Sequence, residues 1–330
     1  MKAAAALILL GAVCASGSPD DLQPPISGIH FQRTNLVVRW NGSKHPWPKA
    51  LWVYRVTPTR FSPTTISNLM VICSVKETDK TDYGTNGMVF SPADGPRNLR
   101  ISFPEGSIEY WSTHSYGPSN LATKVPGRDQ LFSLTEALLK KLGISISDIA
   151  KANRTGKPKM SIFESPVHYF LDHTVVTNVE SRSVRLNRAL DGVEFGGDGG
   201  NCEIEFGAHG QVTKLSLSWR NVEREKSYRT VPPRTIIKRL REGKAVHAPV
   251  MDEFGNDITI DWSRVCNLTV KRAQAYYWGK VYPVGVSPVF PSRLIPYAIL
   301  LAKVDTGTST FDVAIQCPIF EEEHASPGKK

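Results

Sequence analysis

The chain has 330 residues, of which 41 % are hydrophobic and 22 % are charged, and its formal net charge at pH 7 is +9. The hydrophobic content is ordinary for a globular protein, and the charge is too low for an intrinsically disordered one. The length is sufficient for two small domains or one large domain.

The first fifteen residues have the order of a secretory signal peptide. A lysine follows the initiator methionine, an apolar run extends from Ala3 to Val13, and small residues come next. A helix of this length rises about 16 Å, well short of the roughly 30 Å hydrocarbon core of a bilayer, so it predicts no membrane span. The longest later apolar stretch, 294–304, is broken by Pro296 and Lys303. We expect cleavage after Ala15, with Ser16 or Gly17 as near alternatives, and a secreted, extracellular protein.

The first half of the mature chain shows strand-like alternation, one short helix and a hairpin. Ser62-Pro63 presents an N-cap followed by proline at the first helical position. A glycine turn at 104–106 joins two alternating runs into a hairpin. The predicted elements are strands 35–40 and 51–57, a helix from 62 to about 70, hairpin strands 99–103 and 107–112, and a proline- and glycine-rich linker at 116–128.

The second half begins with an amphipathic helix whose leucines recur on one face and which Gly143 ends. Alternating strands follow, and two of them flank a loop with glycine at both ends, Gly207 and Gly210. Pro232-Pro233 starts another helix. The predicted elements are helix 130–142, strands 175–179, 183–190, 202–206 and 211–219, a helix from 232 to about 242, and strands 268–278, 295–305 and 310–319.

This order of strands and helices predicts an α+β fold, in which helices pack on one face of antiparallel sheets. We expect a signal peptide at 1–15, an N-terminal α+β subdomain at 16–125, a second α+β domain at 126–320 and a disordered polar tail at 321–330.

One region has the same order of motifs and predicted elements as a known extracytoplasmic domain. The stretch from Arg188 to Phe195 has an Arg-x-Leu-x-Gly pattern, and a glycine hairpin, a strand ending in Trp219-Arg220 and an amphipathic helix at 231–243 follow it. This order resembles the PepSY-type domains of secreted protease propeptides and the YycI-type regulators outside bacterial membranes. A weaker similarity to the same order of elements occurs at 51–70 and 99–112. If it is a second copy, the chain has two related halves.

The resemblance implies a non-catalytic domain that binds or restrains a partner protein, often a protease. No protease follows here, because residues 221–330 contain no H-E-x-x-H and the chain contains no G-x-S-x-G. The resemblance therefore implies a stand-alone, PepSY-like binding protein.

Four cysteines remain after removal of the signal peptide: Cys73, Cys202, Cys266 and Cys317. An even number in an oxidising compartment favours two disulfides, with three possible connectivities. Four buried free thiols are the alternative. A metal site is not expected, because no two of them have C-x-x-C spacing and the acidic cluster at 252–261 lacks the spacing of a calcium loop.

Three glycosylation sequons begin at Asn41, Asn153 and Asn267. They favour a glycoprotein of a eukaryotic secretory pathway. Asn267 is the least favourable acceptor, because it starts a strand-like run.

The segment 220–244 carries nine Lys or Arg against three Glu. Its helix predicts a cationic surface for an acidic partner, formed by Arg234, Lys238, Arg239 and Arg241. An amphipathic helix with a solvated basic face is the alternative. Nucleic acid is not an expected partner, because the protein is predicted to be secreted and contains no recognised binding motif.

Aromatic residues and histidines suggest a second kind of site. A pocket for an apolar ligand could be walled by Tyr110, Trp111, His114, His168, Tyr276 and Trp278. The alternative is that these residues build a hydrophobic core.

Two main functions follow from these patterns, and a secreted effector or structural surface protein is a third alternative. The first is a secreted, non-catalytic binding or regulatory protein that acts on an extracellular partner. The second is a secreted cyclase or isomerase of microbial secondary metabolism, which uses the aromatic pocket for a small hydrophobic ligand. Neither function requires a metal or another cofactor.

Overall fold

The computed structural model describes residues 29–32, 34–81, 84–95, 97–112, 125–152, 155–171, 174–196, 199–248, 250–251, 257–278 and 292–321. Strand accounts for 51 % of these residues and helix for 20 %. The predicted α+β class is therefore wrong, since the described chain is mostly β. The expected signal peptide, His114, Asn153 and nearly all of the predicted tail lie outside the described residues.

Twenty strands and three α-helices occur in the described part of the chain. The first ten strands are β1 (Ile29–His30), β2 (Val37–Trp40), β3 (Ala50–Thr57), β4 (Lys80–Thr81), β5 (Gly87–Phe90), β6 (Arg97–Ser102), β7 (Ser107–Ser112), β8 (Met160–Leu171), β9 (Thr174–Leu190) and β10 (Val193–Gly196). The others are β11 (Gly200–Phe206), β12 (Val212–Trp219), β13 (Asn221–Arg229), β14 (Val246–His247), β15 (Val250–Met251), β16 (Asp257–Ile258), β17 (Asn267–Trp278), β18 (Arg293–Leu294), β19 (Pro296–Asp305) and β20 (Thr310–Pro318). The helices are α1 (Pro63–Ile72), α2 (Arg128–Lys141) and α3 (Pro233–Arg241).

One mixed sheet joins fifteen of the described strands. Its order is β1-β14-β20-β19-β17-β10-β9-β11-β12-β7-β6-β5-β4, with β2 added to β17 and β8 added to β9. The pairs β2–β17 and β10–β17 are parallel, and the other pairs are antiparallel. A smaller sheet, β13-β3-β18, and the short pair β15–β16 complete the described strands.

Two hydrophobic cores lie along this sheet. The first core draws on residues between 31 and 54 and between 190 and 319, and it includes Ile236 and Leu240 of α3. The second core draws on residues between 69 and 217, including the leucines of α2. Because the segment that contains β3 packs with the last third of the chain, the cores do not divide at residue 125.

The helix signals of the sequence are confirmed locally. Ser62 caps α1, and its Oγ accepts a hydrogen bond from the backbone N–H of Thr65 at 3.0 Å. Gly143 follows α2 with φ of 76°, a left-handed conformation that favours glycine at a helix end. These helices are too few to change the class, because the alternation that builds strands extends through most of the described chain.

The turn between β9 and β10 joins the two halves of the sheet. Asp191 and Gly192 both have positive φ, 50° and 79°, as a two-residue turn of type I′ requires. β10 then continues to a parallel pairing of Phe195 with Tyr277 of β17. A Cβ on Gly196 would lie 1.8 Å from the Oη of Tyr276, so the hydroxyl end of this tyrosine occupies the space that a side chain would need.

None of the three described α-helices combines the length and the apolar composition that a membrane crossing requires.

Candidate functional site

A cavity of about 750 Å³ lies at the junction of the two hydrophobic cores. Val56, at the end of β3, packs against the first core. Phe61, Ile66 and Met88 pack against the second core, and all four residues line the cavity. Since the chain crosses from one core to the other between residues 57 and 61, the cavity is the space that this crossing leaves open.

Prolines define the local course of the chain around the cavity. Pro58 follows the last residue of β3 and has no N–H to extend the ladder, and Pro63 starts α1. Both Pro58 and Pro104 contribute to the cavity wall. The wall is therefore largely apolar and is held by the ends of regular elements.

Arg220 forms part of the same wall and is only 2 % exposed. It stands between β12 and β13, where the chain crosses back between the cores. Its backbone N–H donates to the carbonyl of Gly199 at 3.0 Å, and its Nε donates to the carbonyl of Glu105 at 3.4 Å. Its own carbonyl accepts a hydrogen bond from Nη1 of Arg188 at 2.6 Å. Arg220 thus connects the turn between β6 and β7 to the junction.

Thr59 and Gly106 close the wall next to Arg220. The Oγ1 of Thr59 accepts a hydrogen bond from the backbone N–H of Asn221 at 3.2 Å. A Cβ on Gly106 would lie 2.6 Å from that oxygen and 3.0 Å from the carbonyl oxygen of Trp219. The φ of Gly106 is also positive, 60°, so a larger residue is disfavoured on two grounds.

The chemistry of the cavity follows from its side chains. Beside the apolar groups, its described lining presents hydroxyls and an amide, from residues such as Thr57, Thr85 and Asn86, and two arginines, Arg60 and Arg220. Arginine remains protonated and cannot shuttle protons near neutral pH. These groups can bind and orient a ligand, but they form no acid–base pair.

His247 is fully buried, does not line the cavity, and makes two hydrogen bonds of its own. Its Nδ1 donates to the carbonyl of Ala248 at 2.8 Å, and its Nε2 accepts from Nε1 of Trp262 at 3.0 Å. Burial lowers the pKa of His247, which keeps the ring neutral. This histidine is a structural residue beside the first core.

Tyr54, Asp191 and Arg224 form a second polar cluster. The Oη of Tyr54 donates to Asp191, and Arg224 forms an ion pair with the same carboxylate. The guanidinium of Arg224 also lies over the ring of Trp52, 5.3 Å from its centroid. Burial and the Asp191 hydrogen bond raise the pKa of Tyr54 well above its ordinary value. The cluster ties β3 and β13 to the β9–β10 turn, and its members bind one another.

The structure places the predicted basic surface of α3 differently from the sequence prediction. Arg239 is only 4 % exposed, and its guanidinium donates to the carbonyls of Pro318 and Phe320 at 2.7 and 2.6 Å. The Nε of Arg241 donates to the carbonyl of Leu36 at 3.1 Å. Lys238 pairs with Glu242, and Arg234 is exposed. Two of the four predicted partner-binding cations therefore hold α3 to its own fold.

The predicted aromatic pocket is not assembled by its described members. Tyr110 is buried in the second core, whereas its neighbour Trp111 is 48 % exposed, because adjacent residues of β7 face opposite sides of the sheet. His168 is exposed, and its Nδ1 lies 2.8 Å from the Oγ1 of Thr177. Tyr276 lies against Gly196. His114 and the side chain of Trp278 lie outside the described residues.

The four cysteines are free thiols, so the expected disulfides are not formed. Cys266 lies beside Asp305 at one end of β19, and Cys317 pairs with Ala298 near the other end. This separation along the strand is about 23 Å, far beyond the roughly 7 Å that a disulfide spans between Cα atoms. Cys73 and Cys202 are buried in the second core, where they remain unbonded.

The remaining predicted sites concern glycans and metals. Asn41 is exposed in the loop after β2, and Asn267 is half-buried as the first residue of β17. Within the described ranges, no group of three or more His, Cys, Asp or Glu side chains could hold a metal ion.

The cavity residues were not predicted from the sequence. They come from segments 56–66, 85–88 and 103–104 and from Arg220 and Ser292, which no local pattern connects. The only local signals were Pro58 and Ser62-Pro63, which mark an abrupt crossing between a strand and a helix. No known family model matches the chain, and a search of curated proteins finds no similar sequence, so the PepSY-type resemblance remains a prediction.

Proposed function

We propose that this protein is a secreted, non-catalytic binding protein whose junction cavity holds a small, predominantly apolar ligand. The main support for this proposal is the cavity, which has a volume of about 750 Å³. It is lined by Val56, Phe61, Ile66, Met88 and Phe103. This volume lies within the range of ordinary small-molecule sites, which are mostly apolar and contain a few polar groups that orient the ligand.

The polar groups of the lining support a ligand with one polar end. Arg60 is exposed, while Thr59 and Arg220 are buried in the wall. An apolar body would lie against the aliphatic and aromatic side chains, and a hydrogen-bond acceptor would face the exposed guanidinium of Arg60.

The positions of the reactive groups favour binding over catalysis. His247 is saturated by Ala248 and Trp262, and Asp191 is engaged by Tyr54 and Arg224. Burial raises the pKa of the thiols of Cys73, Cys202 and Cys317, which removes them as nucleophiles at neutral pH. None of these groups belongs to the described lining of the cavity.

The proposal is tested by titrating the solvent-extracted protein with the neutral apolar fluorophore N-phenyl-1-naphthylamine. Ile66→Trp places a larger ring in the cavity, and Thr85→Trp obstructs its exposed rim without entering a core. Val71→Trp is the matched control, because Val71 lies on the same helix as Ile66 and is 75 % exposed.

We expect saturable binding at one site, a loss of at least about tenfold in affinity for Ile66→Trp and Thr85→Trp, and wild-type affinity for Val71→Trp. Circular dichroism confirms that each variant is folded. Equal affinity in all four proteins would place the fluorophore elsewhere and overturn the proposal.

A further inference from the structure

A second concave surface, a groove of about 660 Å³, lies along β17 and shares no residue with the junction cavity. Its walls come from the loop after β2, from residues 150–152, and from the β9–β10 turn. Unlike the junction cavity, it is lined largely by polar and charged side chains.

A β-bulge in β17 shapes this groove. The register against β19 shifts between Val270 and Arg272, so Lys271 is the extra residue. Val270 and Ala273 are buried, whereas Lys271 and Arg272 are both exposed. In a regular strand two adjacent residues face opposite sides, and one of these cations would enter the core. The bulge instead presents both cations to the groove, a recurrent use of bulges at binding sites.

The charge of the groove is strongly positive. Its lining contains four cations, Lys151, Lys159, Lys271 and Arg272, against the single carboxylate of Glu194. Lys159 pairs with Glu194 at 3.0 Å, and Lys271 pairs with Asp312 at 2.6 Å. Within the described chain, Lys151 and Arg272 form no ion pair. A concave surface with one dominant sign of charge concentrates ligands of the opposite sign.

The groove also offers uncharged hydrogen-bonding groups and one aromatic face. The parallel ladder of β17 with β2 ends at Val270, and the ladder with β10 begins at Tyr277. Between these positions no described strand pairs with that edge of β17. Ser43 and Gln274 add a hydroxyl and an amide, and the partly exposed ring of Trp47 lies in the wall.

We propose that this groove binds an acidic oligosaccharide. Arg272 and Lys151 would contact its carboxylate or sulfate groups through charge-assisted hydrogen bonds. The strand edge, Ser43 and Gln274 would contact its hydroxyls, which both donate and accept, and Trp47 would cover an apolar sugar face. This site is independent of the apolar ligand, since the two surfaces share no residue.

The test must separate a specific site from general attraction to a basic protein. The probe is hexagalacturonate, measured by isothermal titration calorimetry at about 0.15 M salt, where charges beyond roughly 8 Å are screened. Uncharged maltohexaose is the comparison. Lys151→Ala and Arg272→Ala remove groove cations, and Lys140→Ala removes the same charge from the exposed side of α2.

We expect Lys151→Ala and Arg272→Ala each to lose about tenfold in affinity for hexagalacturonate, and Lys140→Ala to lose less than about twofold. Maltohexaose should bind neither the wild type nor any variant. Melting curves verify that the three variants fold like the wild type. An equal loss in all three variants would show attraction by net charge only. That result would overturn the proposal. The proposal would also be overturned if maltohexaose bound as tightly as hexagalacturonate, or if hexagalacturonate did not bind.

Discussion

The Nε1 of Trp262 donates a hydrogen bond to the Nε2 of His247 at 3.0 Å, which assigns the histidine proton to Nδ1. The Nδ1–H group in turn faces the carbonyl of Ala248 at 2.8 Å. Phe31 stacks on Trp262 with 3.8 Å between ring centroids and covers the pair. A protonated imidazole would have to place a second N–H against the indole N–H, so the fold accepts only the neutral ring.

Acid should therefore destabilise the protein through His247. Burial puts its folded-state pKa below the unfolded value of about 6.5, so the unfolded state binds the proton more tightly. The stabilisation that the neutral His247 ring contributes is complete above about pH 6.5. It is lost as the pH falls from there toward the folded-state pKa. We expect the free energy of unfolding to drop more in the wild type than in His247→Gln between about pH 6.5 and pH 5. Urea unfolding at both pH values measures this; parallel losses in the two proteins would refute the assignment.

The hydrogen bond from Tyr54 to Asp191 should contribute measurably to stability. Tyr54→Phe keeps the ring packed edge-on against Tyr277 at 5.4 Å but removes the donor to a carboxylate. We expect a loss of about 1.5 kcal/mol in the free energy of unfolding. Tyr228→Phe is the control, since Tyr228 is a partly exposed residue of neighbouring β13, and it should lose less than about 0.5 kcal/mol. Similar values for the two variants would contradict the role of the cluster.

Alanine variants at Gly106 and Gly307 separate the cost of steric crowding from the cost of backbone strain. Both have positive φ, 60° and 83°, so alanine costs about 1 kcal/mol at either position through the backbone alone. Gly307 lies in the turn between β19 and β20, where an added Cβ would meet no atom within 4 Å. At Gly106 the same Cβ would meet Thr59 and the backbone of Trp219.

We therefore expect Gly106→Ala to lose about 3 kcal/mol in the free energy of unfolding, and Gly307→Ala to lose only about 1 kcal/mol. Urea unfolding of both variants measures the difference. Equal losses would show that the wall beside Arg220 can relax, and would contradict the tight packing between Gly106 and Thr59.

The thiols can be counted directly. In protein that begins at residue 16, Cys266 is the exposed cysteine, and Cys73, Cys202 and Cys317 are buried. Burial also raises the pKa of the Cys317 thiol to about 12, which disfavours the reactive thiolate. We expect one thiol to react with Ellman's reagent in the native protein and four in denaturant, and Cys266→Ser to abolish the native reaction. Fewer than four thiols in denaturant would indicate a disulfide and contradict the structure.

Local signals in the sequence identified elements but not the class of the fold. The helix over 130–142 and the hairpin around Gly106 were predicted correctly, because a leucine stripe and a glycine turn act over a few residues. β13 was missed, because its run of charged residues was interpreted as a basic surface segment rather than as a solvated strand paired with β3. Charged residues on both faces conceal the period of two on which strand prediction depends.

The candidate site was hidden for a related reason. The cavity exists only because β3 belongs to the first core and α1 to the second, and that partition depends on pairings between distant parts of the chain. β17, for example, takes parallel partners from β2 and from β10. The sequence alone predicted a strand over 51–57 and a helix that starts at Ser62-Pro63, but not that the chain between them leaves a space.

The most direct test of the apolar-ligand site is native mass spectrometry of the purified protein, before and after incubation with N-phenyl-1-naphthylamine. We expect a second species, heavier than the bare chain by one fluorophore molecule, which can be recovered by solvent extraction and is absent from Ile66→Trp. A spectrum that shows only the bare chain after incubation, or a bound species that persists in Ile66→Trp, would contradict the proposed site.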